Sequence, residues 1–291
     1  MKYIKRAYAK ACALFFEEII MKMYQVDAFT TQLFKGNPAA VIILEDWLDE
    51  ALMQHIALEN NLSETAFVKK NTLNNYDIRW FTPTDEVPFC GHATLASAFI
   101  LFQQIEGLEY IEFETQQLGT FYIRQKNEKI VMNFPILKAH PLLDYPKTLE
   151  SAFNIPFKAV YLNDQAYVVE YENAQQVLDV QPDFFKLKEL SIDSKRIYGK
   201  TRDIVITAPG KDHYDCISRY FAPAIGVNED PVTGSIHTAV IPLWSERLEK
   251  DLITAYQASS RGGWLYGEIL PNDRIEISGQ AKLYMVADIH I

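Results

Sequence analysis

A short motif stands twice in this chain, and it limits the available folds more than any other feature. Residues 79–91 read Arg79-Trp80-Phe81-Thr82-Pro83, then Glu86, Pro88 and Gly91. Residues 219–234 read Arg219-Tyr220-Phe221-Ala222-Pro223, then Glu229, Pro231 and Gly234. The first parts lie 140 positions apart and the second parts 143, so a three-residue insertion precedes Glu229. Each copy runs into an apolar, small-residue stretch of helical character, Ala93 to Phe102 and Ile236 to Trp244. The pattern implies a duplicated half-chain and two similar domains. A cleft between two domains is a common seat for a small-molecule site.

At 291 residues the chain has room for two such domains, and its 48% hydrophobic and 13% aromatic content suffices for a core. A net charge of −10 argues against a general nucleic-acid surface. It leaves room for a local basic pocket that takes an anionic substrate. Three scattered cysteines, Cys12, Cys90 and Cys216, do not make a disulfide framework, so a reducing, cytoplasmic setting is expected. No apolar run approaches the roughly 18–20 residues of a membrane helix. Lys2, Lys5, Arg6 and Lys10 precede a short apolar patch, Ala11 to Phe16, which Glu17 and Glu18 interrupt. That is a poor signal peptide. Residues 1–22 read as a dispensable extension, or alternatively as a helix that packs on the domain or a partner.

Strand patterns fall at Tyr24 to Phe29, Ala39 to Leu44, Thr65 to Val68, Tyr76 to Phe81, Tyr110 to Thr115, Thr120 to Arg124 and Lys129 to Phe134. Asp49 to Glu59 reads as an amphipathic helix with Leu52, Ile56 and Leu58 inward. The second half repeats the rhythm. Strands are expected at Ala159 to Leu162, Tyr167 to Val169, Ile204 to Ala208, Cys216 to Phe221, Glu268 to Leu270, Arg274 to Ser278 and Lys282 to Asp288. Helices are expected at Ala174 to Val180 and Pro182 to Leu190. Tight hairpins mixed with single helices predict an α+β fold rather than a doubly wound parallel sheet. The domain boundary is expected near Asn133 to Pro141.

The small-residue helices, apolar all round, should be buried within sheets. Both would start at a glycine, Gly91 and Gly234, where free N–H groups and the positive dipole end attract anions. Two such starts facing one cleft would bind a carboxylate without a net positive protein.

Glu64 sits between polar residues and an apolar strand. A half-buried carboxyl there would have a raised pKa and exchange protons near neutral pH; the alternative is an ordinary polar loop. His92 falls in the first helical turn, as a proton relay or substrate ligand, or as a capping or packing histidine. Cys90 reads as a thiolate base at a helix start, or as an inert buried thiol. Glu86 and Glu229 are symmetric and read as structural partners of Arg79 and Arg219. Asp230 and Ser235 match Val87 and His92 of the other copy, and such asymmetric positions are the better candidates for function. No Walker loop, dinucleotide fingerprint, zinc-site spacing or hydrolase elbow is present in the sequence. Side chains alone, without cofactor or metal, are expected to carry the chemistry.

Together Asp27-Ala28-Phe29, Gly36-Asn37-Pro38-Ala39-Ala40-Val41, Asn61-Leu62-Ser63-Glu64-Thr65, Phe81-Thr82-Pro83, Cys90-Gly91-His92-Ala93-Thr94 and Glu229 to Ser235 resemble the PhzF-like isomerases of phenazine biosynthesis. The resemblance runs in motif order from about Met23 to the C-terminus. It implies a diaminopimelate-epimerase-like fold, two pseudo-symmetric halves each wrapping a mostly antiparallel sheet around a central helix. Residues 23–135, completed by residues 282–291, would form the first domain, and residues 136–281 the second. It implies a homodimer and a cofactor-free site with Glu64, His92 and Asp230 as catalytic residues. Asn37, Gly91, Ala93, Gly234 and Ser235 would bind a small carboxylate or amino-acid-like substrate. Related epimerases use two opposed cysteines. Here Cys90 stands at one such position and Thr233 at the other, which disfavours a two-thiol racemase. An epimerase pairing Cys90 with another base, or a non-catalytic ligand-binding relative, stays open.

Overall fold

Extended segments in this chain pair in one order, twice over. The computed structural model describes residues 20–291; the basic and apolar start of the chain, with its expected packing or dispensability, lies outside the described residues. The first strand begins earlier than expected. β1 (Ile20–Ala28) pairs antiparallel with the last strand of the chain, Ile20 opposite His290 and Lys22 opposite Asp288. Residues 20–22, assigned by the sequence to an N-terminal extension, therefore start a strand.

β1 continues antiparallel to β2 (Asn37–Leu44), which runs parallel to β3 (Glu64–Lys70). The parallel step needs a crossover, supplied by α1 (Glu50–Asn60). β4 (Asn75–Phe81) lies antiparallel to β3, with the two-residue β5 (Glu86–Val87) beside it. The second crossover helix is α2 (Gly91–Gln104). It leads to β6 (Tyr110–Thr115), parallel to β4, and to the meander β7 (Gly119–Lys126) and β8 (Lys129–Pro135).

The second half repeats every one of these senses. β9 (His140–Pro141) and β10 (Ala159–Leu162) are antiparallel, as are β10 and β11 (Ala166–Glu170). The short α3 (Lys147–Ser151) comes before β10, and α4 (Ala174–Asp179) and α5 (Phe184–Tyr198) cross from β11 to the parallel β12 (Asp203–Pro209). β13 (Cys216–Ala222) is antiparallel to β12, with β14 (Val227–Asp230) beside it. After α6 (His237–Leu248) come β15 (Leu252–Gln257), parallel to β13, then β16 (Gly263–Leu270) and β17 (Arg274–Gly279). β17 pairs with β8 and joins the halves, and β18 (Ala281–His290) returns to β1. The α+β class and the duplicated architecture are as expected.

Each half wraps its sheet around one helix. α2 packs on β1, β2, β3, β8 and β18, and α6 on β15, β16 and β17. Every residue of α2 from Gly91 to Ala98 is buried. The small side chains let strands approach on all sides. Its two hydroxyls bond within the helix, Thr94 to the Cys90 carbonyl at 2.6 Å and Ser97 to the Ala93 carbonyl at 2.7 Å, which lets them be buried. α6 carries an internal Pro242. Proline cannot donate to the carbonyl four residues back. That carbonyl, on Thr238, instead accepts from the Leu137 N–H at 3.2 Å.

The paired arginines and glutamates of the repeat behave as structural clamps. Arg79 makes a two-point bond to Glu86 at 2.7 and 2.6 Å, and Arg219 to Glu229 at 2.8 and 3.0 Å. Some sequence expectations fail in detail. Ile56 of α1 is buried as expected, but Leu58 is exposed, and Met53 and Ala57 turn inward instead. The helix starts one residue later than the pattern suggested, with Asp49 capping it through the Ala51 N–H. β15 carried no recognised signal, and α5 runs to Tyr198 rather than Leu190.

Candidate active site

Glycine places the first site residue. Gly36 has φ +65°, and a Cβ there would lie 2.0 Å from the Ala28 carbonyl oxygen, so only glycine makes this turn. The turn delivers Asn37 as the fully buried first residue of β2. Its amide nitrogen donates to Asp230 Oδ1 at 3.0 Å and the Val232 carbonyl at 2.9 Å, and lies 3.2 Å from His92 Nδ1. Its amide oxygen accepts from the Ser63 hydroxyl at 3.2 Å. One side chain thus ties together β2, the loop before β3, the start of α2 and the end of β14, residues from both halves.

Glu64 opens β3 and His92 is the second residue of α2. Glu64 Oε2 lies 3.0 Å from His92 Nε2, with the Glu64 side chain 18% exposed. The same oxygen is buried and makes no geometrically sound hydrogen bond among the described residues. The contact is a close ion pair with the His92 ring. The Cys90 sulfur lies 3.4 Å from His92 Nδ1 and 3.9 Å from Nε2. Burial works against a charged imidazole here, yet contact with the Cys90 sulfur and with Glu64 holds its pKa well above 6.5. Burial, with the Glu64 charge adding to it, pushes the Cys90 thiol up to about 11, so it is a neutral thiol at physiological pH. Burial also raises the Asp230 carboxyl above 3.8; His92 opposes this and Glu64 reinforces it. Asp230 accepts a hydrogen bond from the Thr233 hydroxyl.

The start of α2 and the turn leading into α6 meet at this point; α6 begins at His237 rather than at Gly234 as the sequence suggested, because a tight turn closed by the His237 N–H on the Gly234 carbonyl at 3.2 Å comes first. A methyl on Gly91 would sit 3.6 Å from Gly234 Cα and 3.7 Å from the Ser235 nitrogen. Neither α2 nor α6 has a side-chain N-cap. The backbone at the start of α2 and in the turn before α6 therefore lies close together, near the positive ends of both helix dipoles. Ser235 is half-buried beside them, and its oxygen accepts from Gln165 Nε2 at 2.8 Å. Every candidate named from the sequence, Glu64, His92, Asp230, Asn37, Gly91, Ala93, Gly234 and Ser235, belongs to this neighbourhood. Glu64, Cys90 and His92 also bring an oxygen, a sulfur and a nitrogen within 4.8 Å of one another, a group that could hold a metal ion once the thiol gave up its proton.

Four residues here escaped sequence reading. Gln257 fixes the loop before α6, accepting from the Thr233 N–H at 2.9 Å and donating to the Asp230 carbonyl at 2.8 Å. His237 lies 2.8 Å from the Thr233 carbonyl and is held neutral by burial, with a pKa lowered to about 4. Half-buried Asp203 accepts from the buried Tyr220 phenol at 2.7 Å. Only Tyr220 carried a signal, since it matches Trp80 in the repeat.

The chain matches the phenazine biosynthesis-like protein family over residues 26–287. It is 43% identical over 270 residues to an uncharacterised isomerase of Halalkalibacterium halodurans, covering 92% of this chain and 97% of that protein. A crystal structure of a PhzF-family phenazine biosynthesis protein from Enterococcus faecalis superposes with a TM-score of 0.86 at 39% identity, over 94% of this chain and all of that one. A hydroxyproline epimerase from Agrobacterium vitis shares the fold alone, with a TM-score of 0.59 at 10% identity over 94% of this chain and 93% of that one. The repeat, the central helices and these likenesses agree: the chain belongs to the phenazine biosynthesis-like, or PhzF, family.

Proposed function

We propose that this protein is a cofactor-independent isomerase that moves a proton on a small carboxylate or amino-acid-like substrate, with Glu64 as general acid and base. The observation that carries the reading is the buried Glu64 oxygen, free of any aligned hydrogen bond and 3.0 Å from the His92 ring. A carboxylate oxygen buried beside an imidazole, and not tied into a wider hydrogen-bond network, can take a proton from carbon with little rearrangement. In the proposed cycle Glu64 removes a proton from a C–H bond, the electron pair shifts along the conjugated substrate, and the Glu64 carboxyl returns the proton to a different carbon. His92 and Asp230 orient the substrate, with Asn37 holding them in register. The N–H groups at Gly91, Ala93, Gly234 and Ser235 bind its carboxylate.

The name of the Halalkalibacterium relative, an isomerase, supports the reaction class. The protonated Cys90 thiol, matched in the repeat by Thr233 rather than by a second cysteine, argues against a thiol-based epimerase. The same proposal takes residues 23–135 with the returning last strand as one domain and residues 136–281 as the other. It takes the working unit as a cytoplasmic homodimer.

Deuterium uptake tests the reaction. Wild type and Glu64→Gln are incubated in D₂O with a small-molecule cell extract and with a dihydro-hydroxyanthranilate-type control. A one-unit mass gain seen with wild type and lost in the variant supports proton transfer through Glu64. No label in any sample, the control included, favours a ligand-binding protein without turnover.

A further inference from the structure

The two parallel ladders are in equivalent register. Glu64 stands opposite Ala39 and the next residue, Thr65, opposite Phe81. Asp203 stands opposite Ala166 and the next residue, Ile204, opposite Phe221. Phe81 and Phe221 match in the sequence repeat, so Asp203 is the second-half counterpart of Glu64. The two carboxyls have different surroundings. Glu64 faces His92, whereas Asp203 accepts from the Tyr220 phenol at 2.7 Å. Tyr220 accepts in turn from Gln165 Nε2 at 3.1 Å, and the same nitrogen donates to Ser235 Oγ at 2.8 Å. The Gln165 carbonyl accepts from the Asp203 N–H at 2.9 Å, which fixes the two strand ends against each other. Tyr220 is 4% exposed and lies opposite Asp230 in the ladder.

The direction of this chain has a consequence. An ionised Asp203 only accepts, so Tyr220 must donate to it. The Tyr220 oxygen is then open to a Gln165 N–H. The second N–H of Gln165 occupies a lone pair of Ser235, and the Ser235 proton is left to point into the cleft. We propose that Asp203, Tyr220 and Gln165 are positioning residues that present the Ser235 hydroxyl as a hydrogen-bond donor to an oxygen of the substrate. The inference rests on the carboxylate-isomerase reading of the site. Asp203 is held at about 6, chiefly by burial and with the neighbouring Asp230 adding to it, so it is ionised at neutral pH despite its surroundings.

The probe is 3-hydroxyanthranilate, which carries a carboxylate, an amine and a hydroxyl on a planar ring. Its Kd is measured by calorimetry at pH 7.5 for wild type, Ser235→Ala, Tyr220→Phe, Gln165→Leu and the Tyr220→Phe/Ser235→Ala double variant. Ser235→Ala is expected to weaken binding about five- to tenfold, the worth of one hydrogen bond. Tyr220→Phe and Gln165→Leu should each approach that loss, and the double variant should bind no worse than Ser235→Ala. Wild-type affinity in Ser235→Ala or in both relay variants, or multiplying losses in the double variant, overturns the inference. A purely structural role would lower melting temperature without this non-additivity. If wild type fails to bind the probe, the carboxylate reading is what fails. The relay is then decided without ligand, by ¹³C-carboxyl NMR titration of Asp203. Rises of its midpoint in both Tyr220→Phe and Gln165→Leu uphold the coupled chain, and a rise in Tyr220→Phe alone refutes it.

Discussion

Replacing Asp203 by Asn should make the protein more stable, and only above a defined pH. The Asp203 carboxyl is held at about 6 against an ordinary 3.8. Each pKa unit corresponds to about 1.4 kcal/mol, so keeping this group ionised in the folded state costs about 3 kcal/mol. Because the folded pKa is raised, the native state binds the extra proton between pH 4 and 6. Wild-type stability from this group therefore falls as pH rises through that window and is level above it. Asn is neutral, matches Asp in shape and keeps an oxygen for the Tyr220 hydroxyl, which now sits 2.7 Å from Asp203. The variant should melt roughly 6–12 °C above wild type at pH 7.5, taking about 2–4 °C per kcal/mol for a chain of this size. At pH 4 the two should melt together. Scanning calorimetry at both values decides it. A gap that is equal at pH 4 and 7.5, or a variant less stable at both, would refute the burial argument. Because the Asn amide oxygen still accepts from Tyr220, the relay keeps its direction, and affinity for the carboxylate probe should stay near wild type while stability rises.

Glu64→Gln should lower turnover by about 10²–10⁴ while leaving the Kd of a carboxylate ligand near wild type, since it removes the proton acceptor and little bulk; near-full deuterium exchange would sink the assignment. Cys90 should react slowly with iodoacetamide at pH 7.5, because its thiol is buried and pushed up to about 11, and Cys90→Ser should keep proton exchange; rapid alkylation with loss of exchange would instead point to a thiol base. Asn37→Ala should cost about 1–3 kcal/mol in urea unfolding, since Asp230, the Val232 carbonyl and Ser63 all lose their bonds to a fully buried amide. Gly36→Ala should cost at least about 1–3 kcal/mol, because φ +65° and a Cβ 2.0 Å from the Ala28 oxygen leave no room to relax; a soluble variant melting like wild type would show that this turn can be rebuilt.

The residues that the sequence revealed are those whose identity is forced locally. The repeat of Arg, Pro, Glu and Gly needed no structure to be seen. Its glutamates pair with Arg79 and Arg219 because a bidentate bond requires those two types at that separation across β4–β5 and β13–β14. The small-residue helices announced their burial through composition alone. Glu64, His92 and Asp230 could be named from motifs, but not joined.

What brought them together is the packing of two halves against each other. Asn37 reaches Asp230 across 193 positions, and Gly91 meets Gly234 across 143, contacts that no local pattern encodes. Asp203 and Gln165 stayed hidden for the same reason. Each stands in an ordinary strand entrance, and its role comes only from strand register and from burial, which is a property of the surroundings rather than of the residue. The inward face of α1 likewise depended on which side the sheet lay, so Met53 and Ala57 were buried and Leu58 was not. The sequence thus determined the duplicated elements and their chemistry-bearing residues. The tertiary structure decided which of them share a site, because distances between segments far apart in the chain are set by strand pairing and core packing.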